Sequence, residues 1–346
     1  MIKDRNIDDN AQIQIHKLIG AGRPQKKNTY AWYVDGDNGS DSDTGRSPKH
    51  AFKTIQKGVT AAGGGGTVYV FPKAMDAAAT DPSSYAETVI IPATHDGLAI
   101  IGVGTGRVQG GIPQMKKGSG TTAHITVRAP GCLIANMGFN GIWTADSTQS
   151  LVGILLDDDG STKTAFGTTI LNCHFKNCAG STASTNAAVG GAITWAATGN
   201  AWQVLIKGCR FYKNVGDIVL LGTTGSVPQD VVIEDNVFSG PAANTDCNLY
   251  LMGGSGMNGV IIRNNFFTAM PALGGTNDRF MKLTSCVGML ANNYFSTVSD
   301  PALTDLTFAA AGTGAFVPAT VFMAGNWAEV QATGTTSQHS QIGRYA

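Results

Sequence analysis

Five short segments decide how this sequence reads: ILNCHF (170–175), IKGCRF (206–211), IEDNVF (233–238), IRNNFF (262–267) and LANNYF (290–295). Each opens on an aliphatic residue and closes on Phe. A sixth, MAGNWA (323–328), keeps the pattern but closes on Ala328, and IANMGF (134–139) is a looser, earlier copy. The closing positions from Phe175 onward recur every 27 to 36 residues. Self-similarity on this scale marks a repeat architecture, in which one unit is too small for its own core and stacked units bury a shared one. Further short strands are expected between the segments, at 192–195, 217–221, 248–252, 280–283 and 306–308. Each repeat therefore holds at least two short strands, a turn and a loop of variable length. A leucine-rich repeat would need its own Leu spacing, and a propeller blade would need four strands in about 40–50 residues. Unequal turns of this length suit an all-β parallel β-helix.

Strand alternation assigns directions within a repeat. Val204, Ile206, Val231 and Ile233 point inward, as do Phe211, Phe238, Phe267 and Phe295, which should stack along the axis. Two residues before each closing position stand Cys173, Cys209, Asn236, Asn265, Asn293 and Asn326. An inward Asn can satisfy its amide only against a neighbouring turn, so these positions are expected to form a hydrogen-bonded column. Two outward columns follow. Lys207, Glu234 and Arg263 alternate in sign, giving a modest surface ion ladder. His174, Arg210, Val237, Phe266, Tyr294 and Trp327 run from polar to aromatic. An exposed strip of Phe266, Tyr294 and Trp327 needs a subunit contact, a glycan or the chain's own C-terminal segment against it. Arg210 joins the strip as a candidate for glycan or subunit contact.

Composition agrees with a repeat protein. The 346 residues include 45 Gly, only 14% are charged, and 24 basic residues balance 24 acidic ones. Broad nucleic-acid binding, which draws on a basic excess, is not expected. No apolar stretch reaches the length of a membrane span, so no membrane insertion is expected. No run resembles a signal peptide. The six cysteines are widely spaced without a CxxC pair, and read as small buried residues.

The N-terminal part carries a resemblance. WYVDGDNGSDSDTGRSPKHAFKTIQKGVTAA (32–62) is similar to the opening module of right-handed parallel β-helix proteins of the pectate-lyase-like superfamily. The matching residues are Val34, Gly39, Asp41, Gly45, Pro48, Phe52, Thr54, Ile55 and Gln56. TVYVFP (67–72) and LAIIGVG (98–104) then resemble successive coil strands. The resemblance implies a right-handed coil, closed by an N-terminal capping helix over 50–62 that keeps the open sheet edge from pairing with other chains. Further upstream, IDDNAQIQIHKL resembles A-x-I-x-x-x-K-[IL] segments near the N-termini of bacteriophage tail and virion proteins, through Ala11, Ile13, Lys17 and Leu18. The expected organisation is a short extended virion-attachment arm and linker at 1–28, then a leading strand, Asp/Gly loop and capping helix at 29–66. The β-helix body follows at 67–330 and a C-terminal tail at 331–346.

Together these imply a phage structural protein of the virion: a spike, fibre or head decoration. It would be a homotrimer, joined to other virion proteins through 1–28, with loops displayed toward host-surface polysaccharide. The enzymatic alternative is a tailspike depolymerase, a glycoside hydrolase or lyase. Glycoside hydrolysis needs two carboxylates across a groove. No acidic pair recurs on one column here, so no catalytic residue is assigned; Asp157, Asp158 and Asp159 read as a solvated turn. No cofactor is expected. Asp35, Asp37, Asp41 and Asp43 have a spacing that can hold Ca²⁺, but the loop does not match an EF-hand, and a self-hydrogen-bonded loop is the plainer reading.

Overall fold

A computed structural model describes residues 31–342, apart from 75–82, 105–110, 117–122, 142–151, 161–162, 180–189, 197–199, 221–227, 240–246, 271–278, 298–307, 310–314 and 332–336. The arm expected at 1–28 lies outside the described residues. The chain winds into a parallel β-solenoid with three strands per full coil, so its strands stack into three faces. Face 1 runs from Ala31–Val34 through Thr67–Val70, Ala99–Gly102, Leu133–Ala135, Thr169–Leu171, Leu205–Lys207 and Val232–Glu234 to Val321–Ala324. Face 3 runs from Gln114–Met115 through Gly138–Asn140, His174–Lys176, Arg210–Tyr212, Val237–Ser239, Phe266–Met270 and Tyr294–Thr297 to Asn326–Gln331. Face 2 includes Val89–Ile91, Ile125–Val127, Ile154–Leu156, Ile193–Trp195 and Gly216–Leu220. Two long strands, Cys247–Arg263 and Arg279–Ala291, pass from face 2 to face 1, and their mutual register shifts between Met252 and Met257 and between Asn258 and Val260.

The segments that revealed the repeat are the corner between faces 1 and 3. Each splits into the end of one strand, two turn residues and the start of the next. The first turn residue is left-handed in every coil: Asn136, Asn172, Gly208, Asp235, Asn264, Asn292 and Gly325 have φ between 52° and 65°. Asn, Asp and Gly tolerate that region best. The second turn residue points inward. The Asn236 amide nitrogens, backbone and side chain, both donate to Asn265 Oδ1 at 3.0 Å. Asn265 donates in the same way to Asn293, and Asn293 to Asn326. Each Nδ2 also reaches a carbonyl of the preceding coil: Ile206, Ile233, Ile262 and Leu290 in turn. Cys173 and Cys209 occupy the same column, and their thiols point at the equivalent carbonyls of Ile134 and Ile170. The column is thus polar, buried and saturated, which removes the cost of carrying amides inside the coil.

Beside it runs an aromatic column. Phe139, Phe175, Phe211, Phe238, Phe267 and Phe295 are buried, and successive rings stack with centroids 4.5–5.1 Å apart. Ala328 ends the stack. Ile100, Ile134, Ile170, Ile206, Ile233, Ile262 and Leu290 fill the inner side of face 1.

The capping helix spans Ile55–Ala62, shorter than the expected 50–62. Phe52 instead bridges to Val34 in strand fashion and stacks on Trp32, and Pro48–His50 forms a separate 3-10 turn. Asp41 accepts from the backbone of Lys53 and Thr54, so the helix begins only after them. Glu87 caps it from another coil, accepting from Ile55 N and Gln56 N. Ile55, Val59 and Ala62 are buried against the end of the coil. The Gln56 amide accepts from Ile90 N at 2.7 Å and donates to Ile90 O at 3.3 Å. A side-chain amide thereby stands in for a missing strand at the first edge of face 2. At the other end, Ser337–Ile342 pairs antiparallel with Asn326–Gln331 and covers the last edge of face 3.

Asn265→Ala should be far more damaging than Asn264→Gly. The first leaves Asn236 N–H buried without its acceptor and removes the amide bond to Ile233 C=O, a loss of about 2–4 kcal/mol; the second places Gly where φ is already positive, and should stay within about 1 kcal/mol of the parent. Denaturant midpoints and unfolding rates check this, and equal losses for the two would contradict the ladder's role.

Candidate functional site: the outward lane of face 3

Residues that point inward on face 3 alternate with residues that point out, and the parallel register lines the outward ones into a lane. Its first row reads Gln114, Gly138, His174, Arg210, Val237, Phe266, Tyr294 and Trp327. Its second includes Asn140, Lys176, Tyr212, Ser239 and Thr268. Coils are about 4.8 Å apart, so the lane from His174 to Trp327 spans roughly 24 Å.

The two ends differ. At the C-terminal end Phe266 and Trp327 are 42% and 48% exposed, and Phe266 stacks on Tyr294 with centroids 4.9 Å apart. The C-terminal strand pairs beside Trp327, with Gln341 opposite it, and leaves Trp327 open. In the middle, Arg210 and Tyr212 are exposed, and Lys213 lies over the Tyr212 ring at 5.3 Å. At the N-terminal end Gln114, Asn140 and His174 point outward yet are buried. A Cβ at Gly138 would fall 2.2–2.4 Å from the Gln114 amide, so a larger residue there would displace that side chain. His174 Nδ1 is closed off from solvent and has no hydrogen-bond partner. Burial, then the charges of Lys176 and Arg210, pull the His174 pKa down to about 4, so the ring is neutral near pH 7.

The carboxylates of the coils lie elsewhere. Asp157 pairs with Arg128 at 2.9 Å, Asp158 and Asp159 accept from Gly160 N and Lys163 N, and Asp96 pairs with Lys163. On face 1 Glu234 bridges Lys207 at 2.7 Å and Arg263 at 2.6 Å, the alternating trio expected, and both cations lower its pKa. Asp217 is buried at a corner, where Asn214 and Asn248 donate to its two oxygens at 2.8 and 2.7 Å. Desolvation pushes it up to about 7 against those two bonds. A pKa in that range suits a general acid, but Asp217 has no open side for a substrate.

The Asp-rich loop has structural roles for each acid. Asp35 accepts from Asp37 N and from the backbone and side chain of Asn38; Asp41 from Lys53, Thr54 N and the Thr54 hydroxyl. Asp37 takes Ala74 N and lies 3.8 Å from Lys73, and Asp43 lies 3.8 Å from His50. Among the described residues no His, Cys, Asp and Glu groups converge as a metal site.

The sequence pattern shows the first row from His174 to Trp327, but neither its start at Gln114 and Gly138 nor the second row. Lys176 and Tyr212 were accessible to it, since each stands two residues after an outward residue already assigned. A mostly apolar outward column on face 1 also goes unmarked by the pattern: Leu133, Thr169, Leu205, Val232, Ile261, Met289 and Phe322, the last 64% exposed.

No known protein family matches the sequence, and no curated protein does. Similar solved structures include the GH136 lacto-N-biosidase from Eubacterium ramulus, at 9% identity, 85% of this chain, 68% of that one and a TM-score of 0.42. The A-module of a mannuronan C-5 epimerase from Azotobacter vinelandii is 17% identical, with 88% of each chain covered and a TM-score of 0.37. A tailspike protein and capsular polysaccharide depolymerase from Acinetobacter baumannii bacteriophage Fri1 is 12% identical, over 93% of this chain and 66% of that one, with a TM-score of 0.30. The parallel β-solenoid assignment rests on this chain's own strand register.

Asp217 makes stability depend on pH. Its folded pKa of about 7 lies above the unfolded value near 3.8, so the folded state holds the extra proton between those values. The stabilisation is complete below about pH 4 and is lost as pH rises through 7. Unfolding in guanidinium should be faster at pH 8 than at pH 5.5, and Asp217→Asn should flatten that difference; an unchanged difference in the variant would place its origin elsewhere.

Proposed function

We propose that this chain is a carbohydrate-engaging β-solenoid of a bacteriophage particle, and that a host-surface polysaccharide lies along the outward lane of face 3. The observation that carries the reading is the lane itself. It is straight, spans several coils, is rigidly spaced by the ladder beneath it, and presents exposed Tyr212, Phe266 and Trp327 with Arg210. Aromatic side chains offer apolar area at little entropic cost, and an exposed patch of them marks a binding surface. A polymer can use successive coils at once, so weak contacts add through multivalency, more so in a homotrimer. The virion setting is supported by the N-terminal segment's resemblance to phage structural proteins.

The depolymerase is the enzymatic form of the same reading, the activity named for the phage tailspike above.

Affinity electrophoresis of the full chain through gels containing capsular or cell-wall polysaccharides tests the binding. A matching polysaccharide should retard the parent protein, and Phe266→Ala with Trp327→Ala should weaken retention about tenfold or more. Retention unchanged in that double variant would contradict the lane assignment. Release of reducing ends or unsaturated sugars from a retained polymer would establish the enzymatic form.

A further inference from the structure

We propose that the outward side of face 1 is the surface on which a second copy of this chain packs, so that the aromatic strip of face 3 stays open in the assembly. This face is not the one assigned to carbohydrate, and the inference does not rest on that reading.

Face 1 carries two outward rows over ten coils. In the first row, the column from Leu133 to Phe322 is apolar at every coil except that of Thr169. In the second, Tyr33, Tyr69, Ile101, Ala135 and Leu171 follow one another over the first five coils. Phe322, on the final strand, is the most exposed large apolar side chain among the described residues. The other faces differ. On face 2 the outward Thr126, Thr194 and Val219 are already buried within the chain. Face 3 mixes polar groups, cations and aromatics. Face 1 therefore holds the longest open apolar strip of the described residues, and an exposed strip on this scale marks an interaction surface.

Charge, chemistry and area select the occupant. The charged groups on this face are Lys207, Glu234 and Arg263, with Asp235 at the turn beside them. Glu234 takes both cations, and Lys207 also lies 3.2 Å from Asp235. The four charges cancel, so two copies meet without like-charge repulsion. They flank the apolar column as a polar rim flanks the core of a protein interface. A glycan is a poor occupant, because the column is mostly aliphatic and offers few hydrogen bonds. A second copy repeats the same coil spacing of about 4.8 Å, so the ridges of one sheet can settle between the ridges of the other along the whole face. Ten coils make a strip about 43 Å long and about 15 Å wide, and covering it would remove roughly 1,300 Å² from two copies together, within the range of specific interfaces.

Sedimentation velocity of the full chain over about 1–100 μM tests the proposal. The parent should be larger than a monomer at the upper concentration. Leu205→Glu with Ile261→Glu sets like charges on the column and should raise the concentration needed for association about tenfold or more. Both side chains point out of the coil, so the circular dichroism spectrum and denaturant midpoint should stay close to the parent's. Phe266→Ala with Trp327→Ala should leave association unchanged. Hydroxyl-radical labelling of the associated parent needs no variant and decides the matter if the double Glu variant does not fold. Corrected for intrinsic reactivity, Met289 and Phe322 should label several-fold less than Phe266 and Trp327, although Phe322 is the most exposed of them in the single chain. A monomer at every concentration overturns the proposal and leaves face 1 to a different protein. Association lost with Phe266 and Trp327 but kept in the face 1 variant overturns it too, as does labelling of Phe322 equal to that of Trp327 in the associated parent.

Discussion

Everything in this molecule depends on coils that stack without slipping, and from Cys209 to Asn326 the buried Asn column holds that register. A sheet interaction alone tolerates a shift along the strand, and a one-residue shift would turn every inward side chain outward. An Asn whose carbonyl accepts two N–H groups of the coil before it, and whose amide reaches that coil's own backbone, has one satisfactory position. A slipped coil would bury unpaired amides, which costs more than the apolar contacts can recover locally. The aromatic stack shares the work from the other side of the corner, since each Phe finds its partner ring only in register.

The same constraint creates the surface. Because successive coils keep register, any outward residue is repeated by its neighbours at a fixed spacing, and chemistry changes gradually along a face. Face 3 passes from shielded polar groups through cations to aromatics. Face 1 carries the Lys207, Glu234 and Arg263 trio and an apolar column. A linear polymer meets such a surface as a set of aligned subsites, and substitution of one residue changes one subsite without disturbing the coil. The ends are closed by different means: a helix with a side-chain amide in place of a strand, and an antiparallel strand.

Much of this was legible in the sequence where the pattern was periodic. Asn236, Asn265 and Asn293, each two residues before a Phe, showed both the period and the inward column. What was not periodic stayed hidden. Glu87 caps a helix that begins 32 residues earlier, and no local signal marks such a contact. The division of IEDNVF into a left-handed Asp235 and an inward Asn236 is invisible to composition, because both residue types favour turns. The early coils lack the Asn column, with Met137 in its place, and the coil of Gln114 has no copy of the segment, so Gln114 could not be aligned with Gly138 and His174. The shielding of His174 is tertiary, and only the folded chain shows that an outward His is buried.

Hydroxyl-radical footprinting of the full chain, with and without a retained polysaccharide, tests the central claim most directly. Among the described residues, three exposed aromatic residues lie on face 3, at Tyr212, Phe266 and Trp327, while Trp202 and Phe322 lie elsewhere on the coil. The account predicts protection of the first three and unchanged labelling of Trp202 and Phe322. Protection of Phe322 with Tyr212, Phe266 and Trp327 unaffected would move the binding surface to face 1 and contradict the account.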